Sequence, residues 1–140
     1  MAARLRPEYT VERFNREAEG FLPGALGIEF LTLEEGRASS RMAIQPMHLA
    51  QNGRLHAASI IALADTTAGH ATVAHLPAGA SSFATIELKS NHLGTVTAGA
   101  IACVATAQHL GRATQVWDAV VTDEASGKQL ALYRCTQMIL

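Results

Sequence analysis

Charge is scarce in this chain. Of its 140 residues, 16% are Asp, Glu, Lys or Arg, against roughly a quarter in an ordinary globular protein. The formal net charge is −1, which excludes the broad basic face that nucleic acid requires. So few charges also leave little polar surface, which points to surface covered by other subunits. Lysine is the rarest charged type. Lys89 and Lys128 stand against nine arginines, and guanidinium groups suit bidentate phosphate contacts. Cysteine is nearly absent. Cys103 and Cys135 lack the spacing of a metal-binding pair. The opening residues MAARLRPEY hold no apolar core of the kind a secretion signal needs. Reduced thiols in the cytoplasm are therefore expected. The six histidines form no HExxH-type cluster, so no metal is expected, and no cofactor fingerprint is present. Linkers, repeats and low-complexity tracts are missing too. One domain over residues 1–140 is expected, with 1–24 as an N-terminal helix and its connection. That length suffices to bury a core.

What is there centres on one stretch. From Ala57 to Ala74 run eighteen residues with no proline, one glycine and one formal charge, Asp65. Seven of them are alanine, the best helix former. The stretch predicts a helix of about 27 Å at ~1.5 Å per residue. A surface helix shows one apolar stripe, whereas this one is apolar nearly all round and belongs in a core. A membrane span fits poorly, because Asp65, His70 and three threonines interrupt the run. A lone carboxylate in such a helix must be paired, hydrogen-bonded, neutralised or functional. Its neighbours Ala62, Ala68 and Gly69 are small and leave room beside it. Two readings stand: an acid bonded within the core, or a catalytic carboxylate facing a cleft.

Before that helix, residues 8–19 place Val11, Phe14 and Ala18 at helical spacing, with Thr10 as a cap. Gly20 and Pro23-Gly24 are expected to end it. Leu26–Leu33 and Arg37–Ile44 read as strands joined at LEEGR. Gln45–Arg54 reads as a polar loop. After the helix come four more strands, Ser82–Asn91, Ala98–Gln108, Thr114–Thr122 and Leu130–Leu140. In the first of these, Phe83, Thr85, Glu87 and Lys89 alternate with Ile86 and Leu88. Turn signals every ten residues or so predict an antiparallel meander. The fold class is α+β. A helix buried all round needs a curved sheet around it, and the side that six strands leave open must meet a second copy.

The segments LHAASIIALADTTAG, TIELKSNHLGTV, GRATQVWDAVVTDE and LYRCTQMIL, within residues 26–140, resemble the hotdog-fold acyl-CoA thioesterases. The likeness is to the phenylacetate-degradation (PaaI-like) and 4-hydroxybenzoyl-CoA thioesterase types. The resemblance implies a curved antiparallel six-stranded sheet wrapped around the long helix. It also implies a homodimer as the minimal unit, a homotetramer as the assembly, and acyl-CoA as substrate, aromatic or medium-chain. No resident cofactor, nucleic acid or membrane is implied. The family's catalytic acid comes nine residues after its His, and His56 and Asp65 keep that interval. The family's acid acts on a thioester held at the partner's helix N-terminus, where free N–H groups can stabilise an oxyanion. This assigns Asp65 as base or nucleophile, the Ala57 N–H as oxyanion donor with Ala58 beside it, and His56 in the turn. The family's two glycines are Ala57 and Ala58 here. Its water-positioning amide falls on Ala50, with Gln51 and Asn52 as replacements. Its helical hydroxyl falls on Gly69, with Thr85 or Ser82 on the next strand as replacements. Arg112 follows a turn glycine, where relatives hold coenzyme A phosphates. Trp117 and Tyr133 read as core or interface residues, and Cys135 as an inward strand residue. Two alternatives accompany this reading: a binding module for acyl-CoA without turnover, and a hotdog dehydratase or hydratase.

Overall fold

The computed structural model describes residues 4–140; the first three residues of the MAARLRPEY opening, and of the expected domain over 1–140, lie outside the described residues. Thr10 caps α1 (Val11–Glu17) through its hydroxyl, which accepts from the Arg13 N–H at 3.1 Å. The helix turns Phe14 inward against Phe30 and His70. Asn15 uses its amide as a piece of backbone, accepting from the Phe30 N–H and donating to the Phe30 carbonyl. The helix ends at Glu17, before Gly20 and Pro23-Gly24 as expected, but Pro23-Gly24 then builds a short α2 (Leu22–Leu26). Proline fits a helix's first turn, where its missing N–H would be unpaired anyway. Gly24 is needed because a Cβ there would stand 2.3 Å from the Ala18 carbonyl oxygen.

The sheet follows as β1 (Ile28–Glu34), β2 (Arg37–Ala43), β3 (Phe83–His92), β4 (Ala100–Leu110), β5 (Thr114–Asp123) and β6 (Gln129–Ile139), with α3 (Ala57–Ala74) between β2 and β3. Every pairing is antiparallel, and the lateral order is β1-β2-β4-β5-β6-β3. The meander expectation therefore holds for β4, β5 and β6 but not for β3. That strand crosses to the far edge and pairs with β6. Residues 93–99, expected as a hairpin turn, instead carry the chain back across the end of the sheet. Leu93 donates to the Leu130 carbonyl and Leu55 to that of Val96 along the way.

The sheet curls around α3, which packs against all six strands. Ile60, Leu63, Ala64, Thr67, Ala68 and Ala71 form its buried face. The opposite face, with Ile61, Ala62, Asp65, Thr66, Gly69 and Val73, is only half-covered. The expected burial all round is thus met on one side within this chain. Ser40 and Thr67, both buried where α3 meets β2, share a hydrogen bond at 2.6 Å, whereas the buried Gln137 amide of β6 has no hydrogen-bond partner among the described residues. Beyond the helix end, Gln115 donates to the His75 carbonyl and accepts from the Trp117 indole. Trp117 is fully buried.

In β3 the alternation slips. A bulge between Thr85 and Glu87 changes the phase, because an extra residue on one strand swaps the faces beyond it. Leu88 pairs with Cys135 and Ser90 with Tyr133, and paired residues share a face. Leu88 therefore joins Phe83 and Thr85 on the helix side, while Glu87 and Lys89 turn outward. The expected split of Phe83 from Leu88 is corrected accordingly. Ile86 and Leu88 are 54% and 41% exposed, so this edge carries apolar surface.

Candidate active site

The first half of the site is the start of α3. His56 is the N-cap, and its Nδ1 accepts from the Ala58 N–H at 2.9 Å. An N-cap group that satisfies one of the free N–H groups stabilises a helix. The bond also fixes the tautomer, since an accepting Nδ1 leaves the proton on Nε2. The His48 carbonyl accepts from the His56 N–H and the Ser59 hydroxyl, tying the preceding loop to the first turn. The Ser59 N–H bonds to the His56 carbonyl. With the Ala58 N–H spent on the cap and the Ser59 N–H on the His56 carbonyl, the Ala57 N–H has no partner among the described residues. Around it lies a cleft of about 380 Å³ lined by Ala50, Asn52, His56, Ala57, Ile60 and His92 among others. Asn52 is exposed there, its Oδ1 accepting from the Arg54 N–H. Gln51 is exposed in the same turn and does not line the cleft.

The second half surrounds Asp65. This carboxylate is half-buried and borders a cleft of about 290 Å³ lined by Phe14, Glu17, Pro23, Asp65, Thr66, Gly69, His70, Val73 and Phe83. Gly69 lets β3 approach: a Cβ there would lie 3.3 Å from Phe83 Cζ. His70 Nδ1 bonds to the Thr66 carbonyl at 2.9 Å. Desolvation lowers the His70 pKa, so its ring is neutral near pH 7, with Nδ1 donating and Nε2 bare. The Tyr133 hydroxyl donates to Asp65 Oδ1 at 2.6 Å, within the short range of charge-assisted O–H···O⁻ bonds. Burial, then this bond, push the Tyr133 phenol far above its ordinary range, so it remains a donor. Burial pushes the Cys135 thiol up to about 11; a protonated thiol is a poor nucleophile.

The chain does not join these halves. Ala57 and Asp65 stand eight positions apart on one helix, roughly 12 Å along its axis. Thr85 is exposed on the helix side of β3 but is not part of the Asp65 cleft, and Ser82 lies just before that strand. Arg112 is at the opposite end of α3 from His56, in a cleft of about 780 Å³ shared with Arg4, Leu76 and Pro77. Tyr133, which bonds Asp65, and His70, which lines its cleft, are the neighbours of Asp65 that the sequence did not single out. Alternation along β6 was the available signal: a buried tyrosine on an inward position needs a polar partner, and Asp65 is the acid the core stretch offers.

A long half-open helix wrapped by a curved six-stranded antiparallel sheet defines the class: a hotdog fold. Comparison with known proteins specifies it. The thioesterase superfamily model matches residues 52–129, and the chain belongs to that family and is a thioester hydrolase. A 1,4-dihydroxy-2-naphthoyl-CoA hydrolase of Listeria monocytogenes is 31% identical over 115 residues, covering 82% of this chain and 92% of its own. The crystal structure of a mutant of thioesterase PA1618 from Pseudomonas aeruginosa superposes with a TM-score of 0.91 at 26% identity, covering 97% of both chains. The PaaI protein of E. coli shares the fold, with a TM-score of 0.79 at 22% identity over 94% of this chain and 96% of its own.

Proposed function

We propose that this enzyme hydrolyses acyl-CoA thioesters, aromatic or medium-chain, between two copies of the chain. Asp65 of one copy and the Ala57 N–H of the other would act on the same carbonyl. The observation that carries this reading is the separation of the half-sites. A thioester C=O is about 1.2 Å long and cannot touch groups that lie some 12 Å apart on one helix. A second copy with its α3 antiparallel brings the two together twice, by symmetry. The half-covered face of α3 and the apolar edge of β3 are the surfaces that such a partner would cover.

In this arrangement the Ala57 N–H stabilises the developing oxyanion. Asp65 either takes a proton from water as the water oxygen attacks, or attacks the carbonyl itself to give an anhydride that water opens. Either way the C–S bond breaks, and the coenzyme A sulfur leaves as thiolate and takes up a proton. The apolar walls of the Asp65 cleft, with Phe14 and Phe83, suit a flat or short acyl group. The relative named for a dihydroxynaphthoyl thioester supports the aromatic choice. His56 orients the first turn, Asn52 and Gln51 flank it, and Arg112 would meet phosphate. The minimal unit is a homodimer, and two dimers would form the homotetramer.

Purified enzyme supplied with benzoyl-, hydroxybenzoyl-, phenylacetyl- and medium-chain acyl-CoAs, with thiol release followed, should favour the aryl members. Asp65→Asn should lose about 10²-fold or more in kcat, the contribution of a general base. Full activity in that variant would overturn the assignment of Asp65.

A further inference from the structure

We infer that Tyr133 is a positioning residue for the reaction: its hydroxyl holds Asp65 Oδ1 and leaves Oδ2 as the oxygen that meets water or the thioester. The inference rests on Asp65 being the acting carboxylate. Among the described residues, the Tyr133 bond is the one hydrogen bond that the carboxylate makes. The donor is well fixed. Tyr133 is 3% exposed and sits in the middle of β6, paired with Ala119 of β5 on one side and Ser90 of β3 on the other. The acceptor stands on the half-open face of α3, with the small residues Ala62, Ala68 and Gly69 as its helix neighbours. The bond to this fixed donor therefore restrains the Asp65 carboxylate.

Both mechanisms need that restraint. A base must hold one oxygen within reach of the water, and a nucleophile must keep one oxygen aligned with the carbonyl. A carboxylate free to rotate satisfies neither for most of the time. Binding of the acyl-CoA does not depend on the orientation of that oxygen. The predicted signature is thus a loss in kcat with KM held.

The test is Tyr133→Phe, which removes one oxygen and keeps the ring. We expect kcat to fall about ten- to a hundredfold, the span of a lost charge-assisted hydrogen bond, with KM within about twofold. In an Asp65→Asn background, Tyr133→Phe should change kcat by less than about twofold, because a residue acting through another is not additive with it. Unchanged kcat in Tyr133→Phe, with Asp65→Asn inactive, overturns the positioning role alone. Full activity in Asp65→Asn overturns the assignment of Asp65 itself. A fall in kcat of the same size in both backgrounds also overturns positioning through Asp65. A readout that does not need Tyr133→Phe to fold is available, because the chain has two tyrosines. Labelling with 3-fluorotyrosine gives two fluorine resonances. The Tyr133 signal should move on Asp65→Asn while that of Tyr9 stays. A Tyr133 signal that stays in place overturns the inference.

Discussion

Gly69 and His75 show how single side chains set what this protein tolerates. Gly69 borders the Asp65 cleft, and a Cβ there already presses on Phe83. Gly69→Val should lower kcat/KM for benzoyl-CoA about tenfold more than for acetyl-CoA, the scale of a methyl group or two in a closed pocket. Parallel progress curves on the two substrates measure this. His75 is fully buried, with Nδ1 donating to the Ala71 carbonyl and Nε2 accepting from the Gly36 N–H. Its neutral form is built in, and desolvation lowers its pKa below the ordinary 6.5. The unfolded chain takes up a proton there as pH falls through about 6.5, while the folded chain does not. Stability is therefore complete above that value and is lost as pH falls from it toward the folded pKa. His70, shifted the same way, adds to the slope. Melting temperature should drop between about pH 7 and pH 5, and the slope should flatten in His75→Gln.

Among the elements, α3 carries most of the consequence. Its cap is a histidine ring nitrogen instead of the usual hydroxyl or carboxylate. His56→Ala should cost about 1 kcal/mol of stability, read as a lower midpoint in urea. The helix bounds were legible because proline-free alanine-rich sequence leaves few other conformations, and the predicted span of 57–74 is the observed one. The strands were legible within a few residues for a similar reason, since β-branched runs between glycine turns have one good state. Strand order was not. Nothing local to residues 93–99 distinguishes a hairpin from a crossing, because the far edge beside β6 is chosen by sheet closure around α3. The phase of β3 was lost to a bulge that no residue type announces. Asp65 was legible as an anomaly in an apolar run. Its tyrosine was marked only by the inward phase of β6, because the two stand 68 positions apart and strand register brings them together.

At the scale of the molecule, the proposed function asks for a second copy over the half-covered face of α3 and the apolar edge of β3. If Ile86 and Leu88 meet a partner, Leu88→Lys buries an unpaired charge there, which is costly. Light scattering should then report a mass shifted toward the 14.8 kDa chain, and activity should fall in step with it. A variant that stays assembled and active would remove β3 from the contact. No helix among the described residues is long and apolar enough to cross a membrane.

The amide of Asn15 has a consequence at this scale. By occupying the Phe30 N–H and carbonyl, it blunts the sheet margin at β1, and α1 lies over that margin. An open margin invites strand after strand, and a sheet with two such margins could lengthen without limit. With one of them blocked, lateral growth that starts at β3 terminates when two chains have met. If two copies do meet through β3, the side chain of one asparagine would keep that pair from lengthening into a fibre.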